Sequence, residues 1–118
     1  MICVAAAAGT LVLAADAFTL SWSHSVEHML WREEWKREGR ALRLVAASVQ
    51  GSGAGIDPPD GAVLDAGTYR WVPTLAPVPE LVLAASGATG AGWTICAGGS
   101  CHEIGASAEA PVIVRSCD

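Results

Sequence analysis

Turn-forming residues recur along this chain at intervals too short for a helical fold. Breaks rich in Gly, Pro and Asp fall at Ala8-Gly9, Asp16, Glu38-Gly39, the glycine-rich run 51–55, Asp57-Pro58-Pro59-Asp60-Gly61, Asp65-Ala66-Gly67, Pro77 to Pro79, 86–92 and Gly98-Gly99. Between them lie short apolar runs: Phe18–Trp22, Leu42–Val49, Thr68–Val72, Leu81–Leu83, Trp93–Cys96 and Val112–Val114. Glycine supplies positive φ and proline a fixed φ, so this punctuation breaks the chain into strands. The pattern predicts an all-β fold: a small antiparallel β-sandwich or partly closed β-barrel. At 118 residues the chain is one domain, 1–118, with material for a single core.

The apolar start, Met1 to Ala17, ends in Ala15-Asp16-Ala17 and so imitates a secretory cleavage site. No Lys or Arg precedes the run, and Gly9-Thr10 interrupts it. It is too short for a membrane-spanning helix. We expect it to be retained as two strands with Ala8-Gly9-Thr10 turning between them.

The cysteines are Cys3, Cys96, Cys101 and Cys117, an even set with three possible pairings. Cys96 and Cys101 flank Ala97-Gly98-Gly99-Ser100, a hairpin loop that would set them opposite each other. Cys3 and Cys117 pair if the terminal strands are neighbours. Disulfides point toward an oxidising, extracytoplasmic (periplasmic) compartment. No Cys-x-x-Cys is present, so neither a zinc ribbon nor a thioredoxin-type site is indicated.

Residues 25–40 admit two periods. Trp31 and Trp35 are four apart, as on a helix, but Trp31, Glu33 and Trp35 also alternate against Arg32, Glu34 and Lys36. The preceding Phe18, Leu20, Trp22, His24 series alternates too, and this favours the strand. A hairpin of the two segments puts His24 and Glu33 on one apolar face among Trp22, Trp31 and Trp35. That pair is either a buried polar contact satisfying itself or the edge of a ligand site. Core packing is the expected use of these three tryptophans, and Trp71 is the one expected to be partly exposed.

Net charge is −5, which disfavours nucleic acid as a partner. Five of the seven basic residues (Arg32, Lys36, Arg37, Arg40, Arg43) stand among Glu33, Glu34 and Glu38. A run of mixed sign reads as a solvated face.

Three motifs resemble catalytic signatures and fail on chemistry. His24-Ser25-Val26-Glu27-His28 matches H-x-x-E-H, but a zinc peptidase needs those ligands on a helix and the lead-in alternates like a strand. Ser25 cannot lose its proton to His24, because adjacent strand residues point to opposite faces. Gly51-Ser52-Gly53-Ala54-Gly55 lacks the Gly-Lys-Ser/Thr ending of a phosphate loop. We assign no catalytic residue, metal or cofactor from the sequence.

Phe18-Thr19-Leu20-Ser21-Trp22-Ser23-His24-Ser25-Val26-Glu27, Trp31 to Trp35, Gly51 to Gly55, Pro58-Pro59-Asp60-Gly61-Ala62-Val63-Leu64 and Gly92-Trp93-Thr94-Ile95-Cys96 together resemble the bacterial DUF1850 family. The family has no assigned activity. Its genes tend to lie beside those of TAXI-class tripartite ATP-independent periplasmic (TRAP) transporters, which implies an accessory role with transporter subunits as partners. Its recurrent polar positions match His24, Ser25 and Glu33, while His28 departs from its pattern. Many relatives also carry an N-terminal membrane anchor. The expectation is therefore a non-enzymatic accessory domain. The alternatives are a module binding a small organic anion through His24, Ser25, Glu33, Gly53 and Gly55, and a small hydrolase with a His24/Glu33 acid–base pair.

Overall fold

In the computed structural model, which describes residues 1–23, 29–50, 59–85 and 92–117, each of the apolar runs named above lies in a strand, except that Val72 falls just outside its own. The strands are β1 (Ile2–Ala6), β2 (Gly9–Leu13), β3 (Ala17–Ser23), β4 (Leu30–Glu38), β5 (Ala41–Gln50), β6 (Val63–Asp65), β7 (Thr68–Trp71), β8 (Glu80–Leu83), β9 (Trp93–Ala97), β10 (Ser100–Ile104) and β11 (Val112–Ser116). They pair antiparallel in two sheets, one ordered β2-β1-β11-β8 and one β10-β9-β3-β4-β5-β7-β6. The sheets pack face to face as a sandwich, the first of the two architectures expected, and do not close into a barrel. Among the described residues no helix is long and apolar enough to cross a membrane.

Side chains two apart on each strand meet between the sheets. Ile2, Val4, Leu13, Leu83, Val112 and Val114 come from the four-stranded sheet, and Phe18, Leu20, Trp35, Leu42, Leu44 and Ile95 from the seven-stranded one. Leu42 and Val78 exchange two backbone hydrogen bonds, of 2.8 and 2.9 Å, which tie the segment before β8 to the opposite sheet. Gly92 (φ +54°) precedes β9, where a Cβ would stand 2.5 Å from the Ile104 carbonyl oxygen. Only glycine fits that approach.

The apolar N-terminal run is part of this core. Ile2 and Val4 are fully buried, and β1 lies between β2 and β11. The turn falls at Ala7 and Ala8, so Gly9 and Thr10 belong to β2 rather than to the turn expected there.

Both disulfides join the cysteines that spacing had brought together. Cys3–Cys117 links β1 to the residue after β11, and the Cys117 N–H donates to the Met1 carbonyl at 3.0 Å. Cys96–Cys101 bridges β9 and β10 directly opposite each other, with Cα atoms 4.1 Å apart. That separation marks a non-hydrogen-bonded pair, where facing side chains are closest. The hairpin turn is two residues, Gly98 (φ +58°) and Gly99 (φ +84°), as a type I′ turn requires.

Residues 30–38 are strand, resolving the two periods in favour of alternation. Opposite them β5 carries a bulge: Glu34 faces Ala46 while Trp35 faces Leu44, leaving Val45 unmatched. The bulge lets Leu42 and Leu44 at one end, and Ala47 and Val49 at the other, all face the same side.

Candidate functional site

The β3–β4 register sets Phe18 opposite Trp35, Leu20 opposite Glu33, and Trp22 opposite Trp31. Glu33 therefore shares a face with four aromatic side chains, as the alternation predicted. Its neighbours Arg32, Glu34 and Lys36 point to the other face, where Glu34 holds Arg70 at 2.7 Å. Arg43 pairs with Glu38 on that outer side as well. The mixed-sign run is thus a solvated face from which Glu33 alone among the glutamates of β4 turns inward.

The aromatic side chains form a row across the seven-stranded sheet. Trp93 on β9 tilts against Trp22 on β3 (centroids 4.8 Å, 58°), Trp22 lies parallel to Trp31 on β4 (6.4 Å, 8°), and Trp31 meets Trp71 on β7 edge-on (6.5 Å, 87°). All four are partly exposed, whereas Trp35 is buried at 4 % and stacks on Phe18 (6.4 Å, 9°). Of the three tryptophans expected in the core, only Trp35 is fully enclosed; Trp22 packs at the margin of the core and Trp31 lies outside it. Trp71 is partly exposed, as expected, and also walls a hollow of about 440 Å³ with Pro59, Asp60 and Pro73. Ala47 stands between Glu33 on β4 and Trp71 on β7 in a single cross-strand row. Its methyl group leaves the carboxylate and the indoles as the large groups of this region.

Glu33 is held at a cost. Burial pushes its carboxyl pKa above the usual glutamate value, and the Trp35 indole, donating Nε1–H to Oε1 at 3.1 Å, offsets this in part. A folded-state pKa raised above the unfolded one contributes stability below the unfolded pKa and loses it as pH rises through the folded pKa. Glu33→Gln keeps an acceptor for Trp35 and removes the charge. We expect it to be more stable than the parent at neutral pH, with the difference vanishing in acid. Melting temperatures of both proteins across pH 3–8 check this; a glutamine variant less stable at pH 7 would count against it.

Of the other residues singled out from sequence, His24, Ser25, Gly53 and Gly55 lie outside the described residues. The strands leading to them are described. Ser23 pairs with Leu30, and Leu30 with Gln50, so the chain leaves β3 toward His24 and leaves β5 toward Gly53 at the same end of the sheet. The Trp22–Trp31 pair is the next row in from that end. Sequence reasoning missed Trp93 as a member of the row, because β9 reaches β3 only through a long-range pairing. Among the described residues no group of three or more His, Cys, Asp or Glu side chains could hold a metal ion.

No curated protein and no solved structure matches the chain. A family profile does, over residues 18–104, a span that holds Glu33 and the whole aromatic row but neither the N-terminal hairpin nor β11. The chain belongs to the DUF1850 family, a domain family of unknown function.

Proposed function

We propose that this domain is a non-enzymatic accessory module working beside a TAXI-class TRAP solute transporter, and that it grips its partner through the Glu33–tryptophan row. The observation that carries the reading is a carboxylate kept half-buried among partly exposed indoles, against the desolvation that opposes it. Carboxyl groups whose pKa is shifted by burial cluster at functional sites. Tryptophans supply large contact area at low entropic cost, and their faces, like the carboxylate, attract positive charge. The recognised element is therefore a cationic side chain or ammonium group. The anion reading instead needs His24, which lies outside the described residues, as the cation beside Glu33. The transporter link rests on the gene neighbourhood that the family resemblance implies.

The test is affinity purification of the tagged, full-length chain from its native bacterium, alongside a Glu33→Gln variant and a Trp31→Leu variant. Transporter membrane subunits should come down with the parent and be depleted at least about tenfold with either variant, the loss of one desolvated contact worth roughly 1.4 kcal/mol or more. Melting curves of the purified variants separate lost recognition from lost folding. Recovery of no transporter subunit with the parent overturns the partner, and equal recovery with folded variants overturns the site.

A further inference from the structure

We propose that β2 is a self-association edge, along which two copies of this chain pair antiparallel about a two-fold axis. Among the described residues four strands lie at the edges of the two sheets: β2 and β8 in one, β6 and β10 in the other. An edge strand presents unpaired N–H and C=O groups, and proteins guard such edges with charge, proline or brevity. Three of these edges are guarded. Pro77, Pro79 and Glu80 lead into β8, β6 has three residues and ends in Asp65, and β10 carries Glu103 and His102. The fourth, Gly9-Thr10-Leu11-Val12-Leu13, has no charge, no proline and no bulge along its full pairing with β1. Ala7-Ala8 precede it and Ala14-Ala15 follow it, so neither flank blocks close approach.

Charge favours a second copy as the occupant. At a net −5 most faces of this protein repel another copy of it, yet β2 and its flanks, residues 7–15, carry no charged side chain. A hollow of about 280 Å³ beside the edge is lined by Leu11 to Ala15 together with Ala97, Gly98, Ser100 and His102 of the β9–β10 hairpin. Apart from His102, that lining holds no acidic or basic side chain that would select a foreign, charged strand. The edge is also complementary to itself. An antiparallel register centred on Leu11 sets Thr10 of one copy against Val12 of the other and Gly9 against Leu13. It joins two four-stranded sheets into one of eight, and covers Val12, now 53 % exposed, twice over. A closed two-fold contact of this kind satisfies both β2 edges at once and leaves only the guarded β8 edges at the ends of the joined sheet.

Sedimentation velocity of the full chain over a wide range of concentration tests the assignment. We expect a monomer–dimer equilibrium, with the amides of residues 9–13 gaining hydrogen-exchange protection as the dimer forms. Val12→Lys should shift the dissociation constant upward by about tenfold or more, since this register makes the two substituted side chains diagonal neighbours across the seam, where like charges repel. Val82→Lys is the control, because Val82 is 60 % exposed on the same sheet but on the guarded edge β8. It should dimerise like the parent. A parent that stays monomeric throughout overturns the proposal, as does a Val12→Lys protein that keeps its fold and dimerises unchanged. A dimer weakened by Val82→Lys and not by Val12→Lys would also overturn it and place the contact on the other edge.

Discussion

Replacing Cys3 and Cys117 together by alanine should cost about 4–5 kcal/mol of stability, and replacing Cys96 and Cys101 only about 2, on chain-entropy grounds. The two bonds constrain the unfolded chain very differently, since one closes a loop of 114 residues and the other a loop of 5. Loop entropy grows with the logarithm of length, so the ratio is near two and not twenty. The longer bond also acts where the fold is least redundant. β1 and β11 are the two inner strands of the four-stranded sheet, and they bring the chain ends together. Ile2, Val4, Val112 and Val114 are all fully buried there, so fraying of either end opens the core. Urea melts of the two double variants check the order, with the Cys3/Cys117 variant melting about 10–20 °C below the parent in heat. Equal destabilisation by the two pairs would show that native-state contacts, and not loop closure, set these values.

Where the sequence alone reached the fold, it did so through local period and spacing. The Phe18, Leu20, Trp22 and Trp31, Glu33, Trp35 series each alternate, and a hairpin is the shortest way to bury both on one face; the pairs observed are those that hairpin dictates. The cysteine pairs follow from a glycine turn and from proximity of the ends. What period cannot carry is long-range pairing. β9 lies beside β3 although some seventy residues separate them, and that contact is what adds Trp93 to the aromatic row. Period also fails where burial is two-sided or absent. At the β5 bulge Leu44, Ala46 and Ala47 are all buried, which blurs the alternation, and β6 has three exposed residues with nothing to alternate against. The candidate site was half legible. Glu33 could be placed on the apolar face and Trp71 partly exposed from sequence, but that Trp22, Trp31 and Trp93 also remain partly exposed depends on which strands of the larger sheet the smaller one covers.

Trp35 is where the core and the candidate site meet, and truncating it to alanine should cost about 3–5 kcal/mol, in the range for a large buried aromatic side chain. The indole is 4 % exposed and stacks on Phe18, so its removal leaves a cavity between the sheets. It also donates to Glu33 at 3.1 Å, so its loss strands a half-buried carboxylate. These two costs separate in Trp35→Phe, which keeps most of the packing and removes the donor. In the parent background the donor is worth about 1–2 kcal/mol, as a hydrogen bond to a partly screened charge. In a Glu33→Leu background that share disappears and only the change of shape remains. The coupling in this double-mutant cycle should also shrink in acid, because a protonated Glu33 no longer gains the charge-assisted part of the bond. A cycle with no coupling at neutral pH would make Trp35 a packing residue alone. Coupling that fades in acid would make it the group that lets the fold hold a carboxylate on this face at all.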